Sequence, residues 1–140
     1  MARLARPDDV LIGAPLLLLA VFVGGAFGAL ARWALGAALP FDGHGWPWAT
    51  FTANVVGTAL LGYFVTRLQE RLPPSTFRRP LLGTGLCGAL TTFSTVQLEL
   101  VKLARNGDIG VAVAYLLASL AAGLATVYAA SALTRRASLG

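Results

Sequence analysis

The chain has 140 residues, enough for one domain; 56% are hydrophobic, 12% are charged, and the formal net charge is +5. A mean hydropathy of +0.71 with so few charges excludes an ordinary soluble domain, in which about a quarter of residues are charged. One cysteine, Cys87, excludes an intramolecular disulfide or a multi-cysteine metal centre and reads as a packing residue.

The charges are segregated. Uncharged runs extend over Val10 to Ala31, Gly43 to Thr66, Pro80 to Leu98 and Ile109 to Thr134, which is 22, 24, 19 and 26 residues. About 20 apolar residues at a rise of about 1.5 Å each cross the hydrocarbon core. The expectation is an all-α integral membrane protein forming a single domain, with spans at about 13–37, 47–68, 80–103 and 109–134. The basic start and apolar middle of the first run also suit a signal peptide. Its length and glycine-rich end favour a retained span.

Four spans put the N-terminus, the 67–79 connection and the C-terminus on one side. That side holds Arg3, Arg6, Arg67, Arg71, Arg78, Arg79, Arg135 and Arg136, against Arg32, Lys102 and Arg105 on the other. The positive-inside rule places both termini in the cytoplasm, the chain being multi-pass in the cell membrane. Basic residues scattered at segment ends read as topology signals, not as a nucleic-acid surface.

In the first span Gly24 and Gly28 form a GxxxG pair, a spacing that lets helix backbones approach closely in lipid. Arg32 follows, either snorkelling to the headgroups or lining an aqueous vestibule. LPFDGHGWPW is a turn with interfacial tryptophans, and His44 within it reads as a solvated loop residue. In the second span Thr50, Asn54 and Thr58 share one helical face. Asn54 either glues helices together or presents its amide donors to a permeating group. The connection LQERLPPSTFRRP, with Pro73, Pro74 and Pro80, is a water-side linker.

The third span carries Gly83, Gly85 and Gly88, then TTFST with Thr91, Thr92, Phe93, Ser94 and Thr95. The run is centred on Ala89, so glycines and hydroxyls coincide at mid-membrane. The expectation is a third helix broken near its middle, its freed backbone facing protein or a cavity. The other reading is an unbroken helix whose hydroxyls bond back one turn. In the fourth span Tyr115, Ser119 and Thr126 share a face, with Tyr115 either a belt residue or part of a hydroxyl track.

No Asp, Glu, Lys or His lies near the middle of a span, and Glu99 is close to the end of the third. Proton-coupled transport uses an intramembrane ionisable group, and enzymatic nucleophilic chemistry uses a nucleophile with a base. Neither is visible, so the chain is not read as an enzyme. Neutral donors and an aromatic ring edge suit a small anion, whose dehydration costs tens of kcal/mol in a dry medium of low dielectric. A rival reading is a small multidrug-type exporter of organic cations, which calls for an acidic residue within a span. Another is a non-conducting helical subunit.

GGAFGALARW (24–33), TFTANVVGTALLGYF (50–64) and GLCGALTTFSTVQLE (85–99) resemble the CrcB/Fluc fluoride channels, and with length and motif order the resemblance covers nearly the whole chain. It implies passive fluoride export that lowers fluoride toxicity, by an antiparallel homodimer with two pores at the subunit interface. It further implies a central structural Na⁺ bound by backbone carbonyls of Gly88 and Thr91 from each subunit. Asn54, Phe93, Thr95, Tyr115 and Ser119 would fall on or beside the pore, and Arg32 and Glu99 at the vestibule. Two departures stand out. Val96 occupies the place where the family often has a second phenylalanine, leaving the aromatic box incomplete. The eight-to-three charge split favours one orientation, which suits one subunit of a paired heteromeric channel.

Overall fold

The computed structural model describes residues 7–70 and 77–137, with side chains described over 14–68 and 77–137. Arg3, Arg6, Arg71, Pro73 and Pro74, used above for topology and the linker, lie outside the described residues. The described chain is helical, with α1 at Pro7–Ala38 and α2 at Trp48–Glu70. The third span has two halves. The first, α3, is π-wound over Pro80–Cys87 and α-helical over Gly88–Leu90; the second is α4, Ser94–Arg105. The last helix, α5, is Ile109–Arg136. Four segments are long and apolar enough to cross a bilayer: Ala14–Ala38, Trp48–Leu68, Pro80–Arg105 and Ile109–Arg136. The chain is a multi-pass membrane protein.

α1 packs chiefly along α3, and α2 along α5, while α4 leans on α5. The first pairing depends on missing side chains. A Cβ at Gly24 would collide with the Leu81 carbonyl oxygen, and one at Gly28 with that of Leu86. From the other side, a Cβ at Gly85 would come within 2.7 Å of the Val21 carbonyl oxygen. The GxxxG pair is thus a backbone-on-backbone seam, where van der Waals contact replaces the hydrophobic drive that lipid cannot supply. Gly62 does the same for α2 on α5: a Cβ there would come within 2.6 Å of the Val127 carbonyl oxygen, and the Gly62 carbonyl accepts a hydrogen bond from Ser131 Oγ.

The apolar core lies towards the end of the molecule opposite the termini. Val96, Leu103, Ala112 and Tyr115 are buried there, with Phe41, Trp46 and Phe51 packed around them. Trp46 meets both Phe51 and Tyr115 edge-to-face at 5.5 Å. At that end the α1–α2 loop is clasped to the α4–α5 turn. Asn106 Nδ2 donates to the Gly43 carbonyl at 3.0 Å, where Gly43 has φ +103°. His44, exposed as expected, also lies 2.9 Å through Nδ1 from Asp108 Oδ2. Elsewhere large apolar side chains face outward, among them Phe22, Phe27, Trp33, Leu124 and Tyr128. Such a surface suits lipid or a partner chain.

Gly28→Val should strain the α1–α3 seam, since overpacking costs about 1–3 kcal/mol even against movable side chains and here meets backbone. Gly25→Ala fills open space on the same helix and should be neutral or slightly stabilising. Thermal unfolding in detergent, followed by size-exclusion, should show a midpoint drop for the first variant alone.

Candidate functional site

The helix break is built by exchanging backbone hydrogen bonds for side-chain ones. Thr91 is extended, with φ −79° and ψ 152°, between the end of α3 and the start of α4. In a continuous helix the Thr92 N–H would donate to the Gly88 carbonyl. Instead it donates to Asn54 Oδ1 at 2.8 Å, while Asn54 Nδ2 donates to the Thr92 carbonyl at 3.1 Å. One amide of α2 therefore clamps both backbone groups of Thr92. Likewise the Thr95 N–H, which would serve the Thr91 carbonyl, donates to Thr92 Oγ1 at 3.2 Å. That bond caps the first turn of α4. The carbonyls of Gly88 and Thr91 are thus among those at the break that have lost their helical donors.

The neighbouring threonines hold this arrangement in place. Thr91 Oγ1 donates to the Cys87 carbonyl at 2.9 Å, and its methyl sits against Gly57, where a Cβ would collide with it. The helix is broken as expected, not continuous, yet the back-bonding of the other reading still occurs at one residue. Thr91 bonds back one turn, while Thr92 serves the break. Thr58 also bonds back, to the carbonyls of Asn54 and Val55 at 2.9 and 3.0 Å, so its hydroxyl proton is committed to its own helix.

Two cavities flank the break. The first, of about 530 Å³, is lined by Asn54, Gly88, Thr91, Phe93 and Ser119 with apolar neighbours, and none of its lining residues is charged. Phe93 projects there, 67% exposed. Asn54 retains a second amide N–H beyond the one given to Thr92. Ser119 Oγ is buried beside the Tyr115 hydroxyl and makes no well-formed hydrogen bond among the described residues. A buried hydroxyl so weakly held can turn its proton to a group arriving in this cavity. Val96 reaches the same wall but is itself buried in the core. Cys87 is buried there too.

The second cavity, of about 390 Å³, is a cleft lined by Arg32, Thr50, Thr92, Thr95, Glu99 and Lys102, with a lip from Leu39 and Phe41. Glu99 is only 6% exposed. Its two carboxylate oxygens each accept a hydroxyl: Thr50 Oγ1 donates to Oε1 at 2.6 Å and Tyr115 Oη to Oε2 at 2.7 Å. Thr92 lines both cavities and joins them.

The residues singled out from the sequence therefore divide into two groups. Asn54, Phe93 and Ser119 meet at the uncharged cavity, beside Gly88 and Thr91. Thr95, Arg32 and Glu99 meet at the cleft. Tyr115 is fully buried and lines neither cavity; its hydroxyl anchors Glu99. Sequence reasoning gave Thr92 and Thr50 no role in the site. Their signals were position alone, Thr92 beside the break and Thr50 one turn from Asn54 on the same face.

The chain matches the family model described as "CrcB-like protein, Camphor Resistance (CrcB)" over residues 19–131. It is 59% identical over 119 residues to "Fluoride-specific ion channel FluC 1" of Mycobacterium tuberculosis, covering 85% of this chain and 90% of that one. Similarity extends to "Fluoride-specific ion channel FluC" of Bordetella bronchiseptica, 45% identical over 80% of this chain and 86% of that protein. "Fluoride-specific ion channel FluC 2" of Streptomyces avermitilis is 41% identical over 71% of this chain and 63% of that protein.

Asn54→Leu leaves the Thr92 N–H and carbonyl without partners, and each unsatisfied buried group costs about 1–3 kcal/mol. Its thermal midpoint in detergent should fall by several degrees or more. Gly25→Ala, which fills open space on α1 away from the break, should match the parent.

Proposed function

The chain belongs to the CrcB family, and on that footing we propose that it forms a fluoride-selective channel through which fluoride leaves the cytoplasm passively. Fluoride enters a cell as HF at acid pH and is trapped on ionising, so a leak driven by the membrane potential lowers its toxicity. The observation that carries this reading is the uncharged cavity at mid-span, where the Asn54 amide, the Ser119 hydroxyl and the Phe93 ring converge. Neutral donors offset the cost of dehydrating a small anion without binding it as tightly as a fixed cation would. The ring adds a positive edge. Glu99 is buried and tied to Thr50 and Tyr115, and lies outside the uncharged cavity, so that cavity has no acidic group for an organic cation.

The cavity lies open on one face of a single chain, with Phe93 and Gly88 exposed beside it. Lipid cannot satisfy the polar groups of an open mid-span cavity, which supports a second chain covering that face. An antiparallel pair would bring two such breaks together. The Gly88 and Thr91 carbonyls, relieved of their helical donors, suit a hard cation that takes oxygen ligands, and Na⁺ held there would tie the two breaks together. Two partners are open to the chain: a second copy inserted the other way, or an oppositely oriented paralogue. The eight-to-three charge split favours the paralogue, and the numbered names FluC 1 and FluC 2 among relatives accord with it.

The deciding experiment is efflux from liposomes read with fluoride and chloride electrodes, for this chain alone and co-reconstituted with an oppositely oriented relative. Fluoride loss with chloride retained, in either preparation, is the expected result. Retention of fluoride in both would sink the channel reading. In the conducting preparation, Phe93→Ile should slow fluoride loss strongly, and Asn54→Asp should abolish it, by placing a negative charge beside the path and by losing the donor to the Thr92 carbonyl. Cysteines placed singly at Gly110, where an added side chain meets open space, and at Ala137, in a Cys87→Ser background and labelled in intact cells, test orientation. Equal labelling of both from outside would rule out a fixed orientation and the need for a paralogue.

A further inference from the structure

The polar residues on α4 form a single face running from the break to water. Thr92, just ahead of the helix, is followed by Thr95, Glu99 and Lys102 at intervals of three, four and three, and all four line the cleft. At about 1.5 Å per residue the face is about 15 Å long. Thr92 is its deep end, shared with the uncharged cavity, and Lys102 its outer end.

The charges along this face are unequal in their freedom. Glu99 is buried and holds two hydroxyl donors. Arg32 and Lys102 line the same cleft from α1 and α4, so two cations stand against one carboxylate. The cleft is also preformed. Leu39 and Phe41 of its lip belong to the α1–α2 loop, which Asn106 and Asp108 clasp through Gly43 and His44. A narrow cleft with low-dielectric walls focuses the field of the charges that line it and raises the local concentration of the opposite ion.

We propose that Lys102 is a pore-mouth cation that, together with Arg32, attracts fluoride into the cleft, which meets the uncharged cavity at Thr92. This rests on the fluoride-channel reading. Arg105 provides the internal comparison. Both residues are basic groups in the last turn of α4, where either can complement the helix dipole. Arg105 does not line the cleft. A purely structural role in capping α4 would be shared by both; attraction of the anion belongs to Lys102 alone.

Fluoride flux should be measured in the conducting preparation at about 10 mM and about 500 mM ionic strength. The Debye length is about 30 Å at the first and only a few ångströms at the second. Lys102→Gln is expected to lower flux by about threefold at low ionic strength and to match the parent at high. Lys102→Glu should lower it further, and Lys102→Arg should restore it. Arg105→Gln should conduct as the parent does at both. Equal flux for Lys102→Gln and the parent at low ionic strength overturns the proposal, as does an equal loss in Arg105→Gln. If every Lys102 variant loses flux equally at both ionic strengths, the residue acts on structure and the proposal also falls. A parent that passes no fluoride in either preparation overturns the channel reading and this inference together, whereas a conducting parent with an indifferent Lys102 overturns this inference alone.

Discussion

A helix cut in the middle of a membrane releases backbone groups that hydrocarbon cannot satisfy. In this chain the amide of Asn54 takes up both groups of Thr92, accepting from its N–H and donating to its carbonyl. The rest of the site is arranged around that clamp. Because Thr92 N–H is engaged, the Gly88 carbonyl loses its helical donor. Because Thr92 is held still, its hydroxyl can cap α4 through Thr95. Between those two fixed points the chain has no choice but to turn Phe93 outward.

The clamp works only if the first half of the broken span is itself immobile. That condition is met by glycine, not by side-chain bulk. Gly24 and Gly28 on α1 let the carbonyls of Leu81 and Leu86 approach closely, and Gly85 returns the contact from α3. A short half-helix with a π-wound start would have little to hold it in lipid by itself. Pressed along α1, it keeps its end at Leu90 in register with Asn54. Gly57 completes the seat by leaving room for the Thr91 methyl.

Two polar environments result, and they differ in kind. The uncharged cavity holds donors with spare capacity, such as Ser119. The cleft holds the charges, with Glu99 bound from two sides by Thr50 and Tyr115. Burying an isolated carboxylate is expensive, and two charge-assisted hydrogen bonds reduce that cost. The same bonds tie α2, α4 and α5 together at the core. Keeping the carboxylate out of the first cavity leaves that space uncharged, while Arg32 and Lys102 line the cleft with Glu99.

The sequence by itself determined the helices, the four membrane-crossing segments and the place where the third would break. Those follow from local rules: uncharged runs of sufficient length, glycine frequency and hydroxyl clustering at mid-run. It also singled out Asn54 and Ser119 by helical periodicity and Phe93 by its motif, and these three line one cavity. The pairing of groups was decided by the tertiary structure alone. Asn54 meets Thr92 across 38 residues and Thr50 meets Glu99 across 49, separations over which periodicity carries no information. So it was that Tyr115, which shares a helix face with Ser119, turned out to serve Glu99 while Ser119 alone reaches the cavity. A hydroxyl's partner is chosen by which helix packs beside it, and the glycine seams fix that packing.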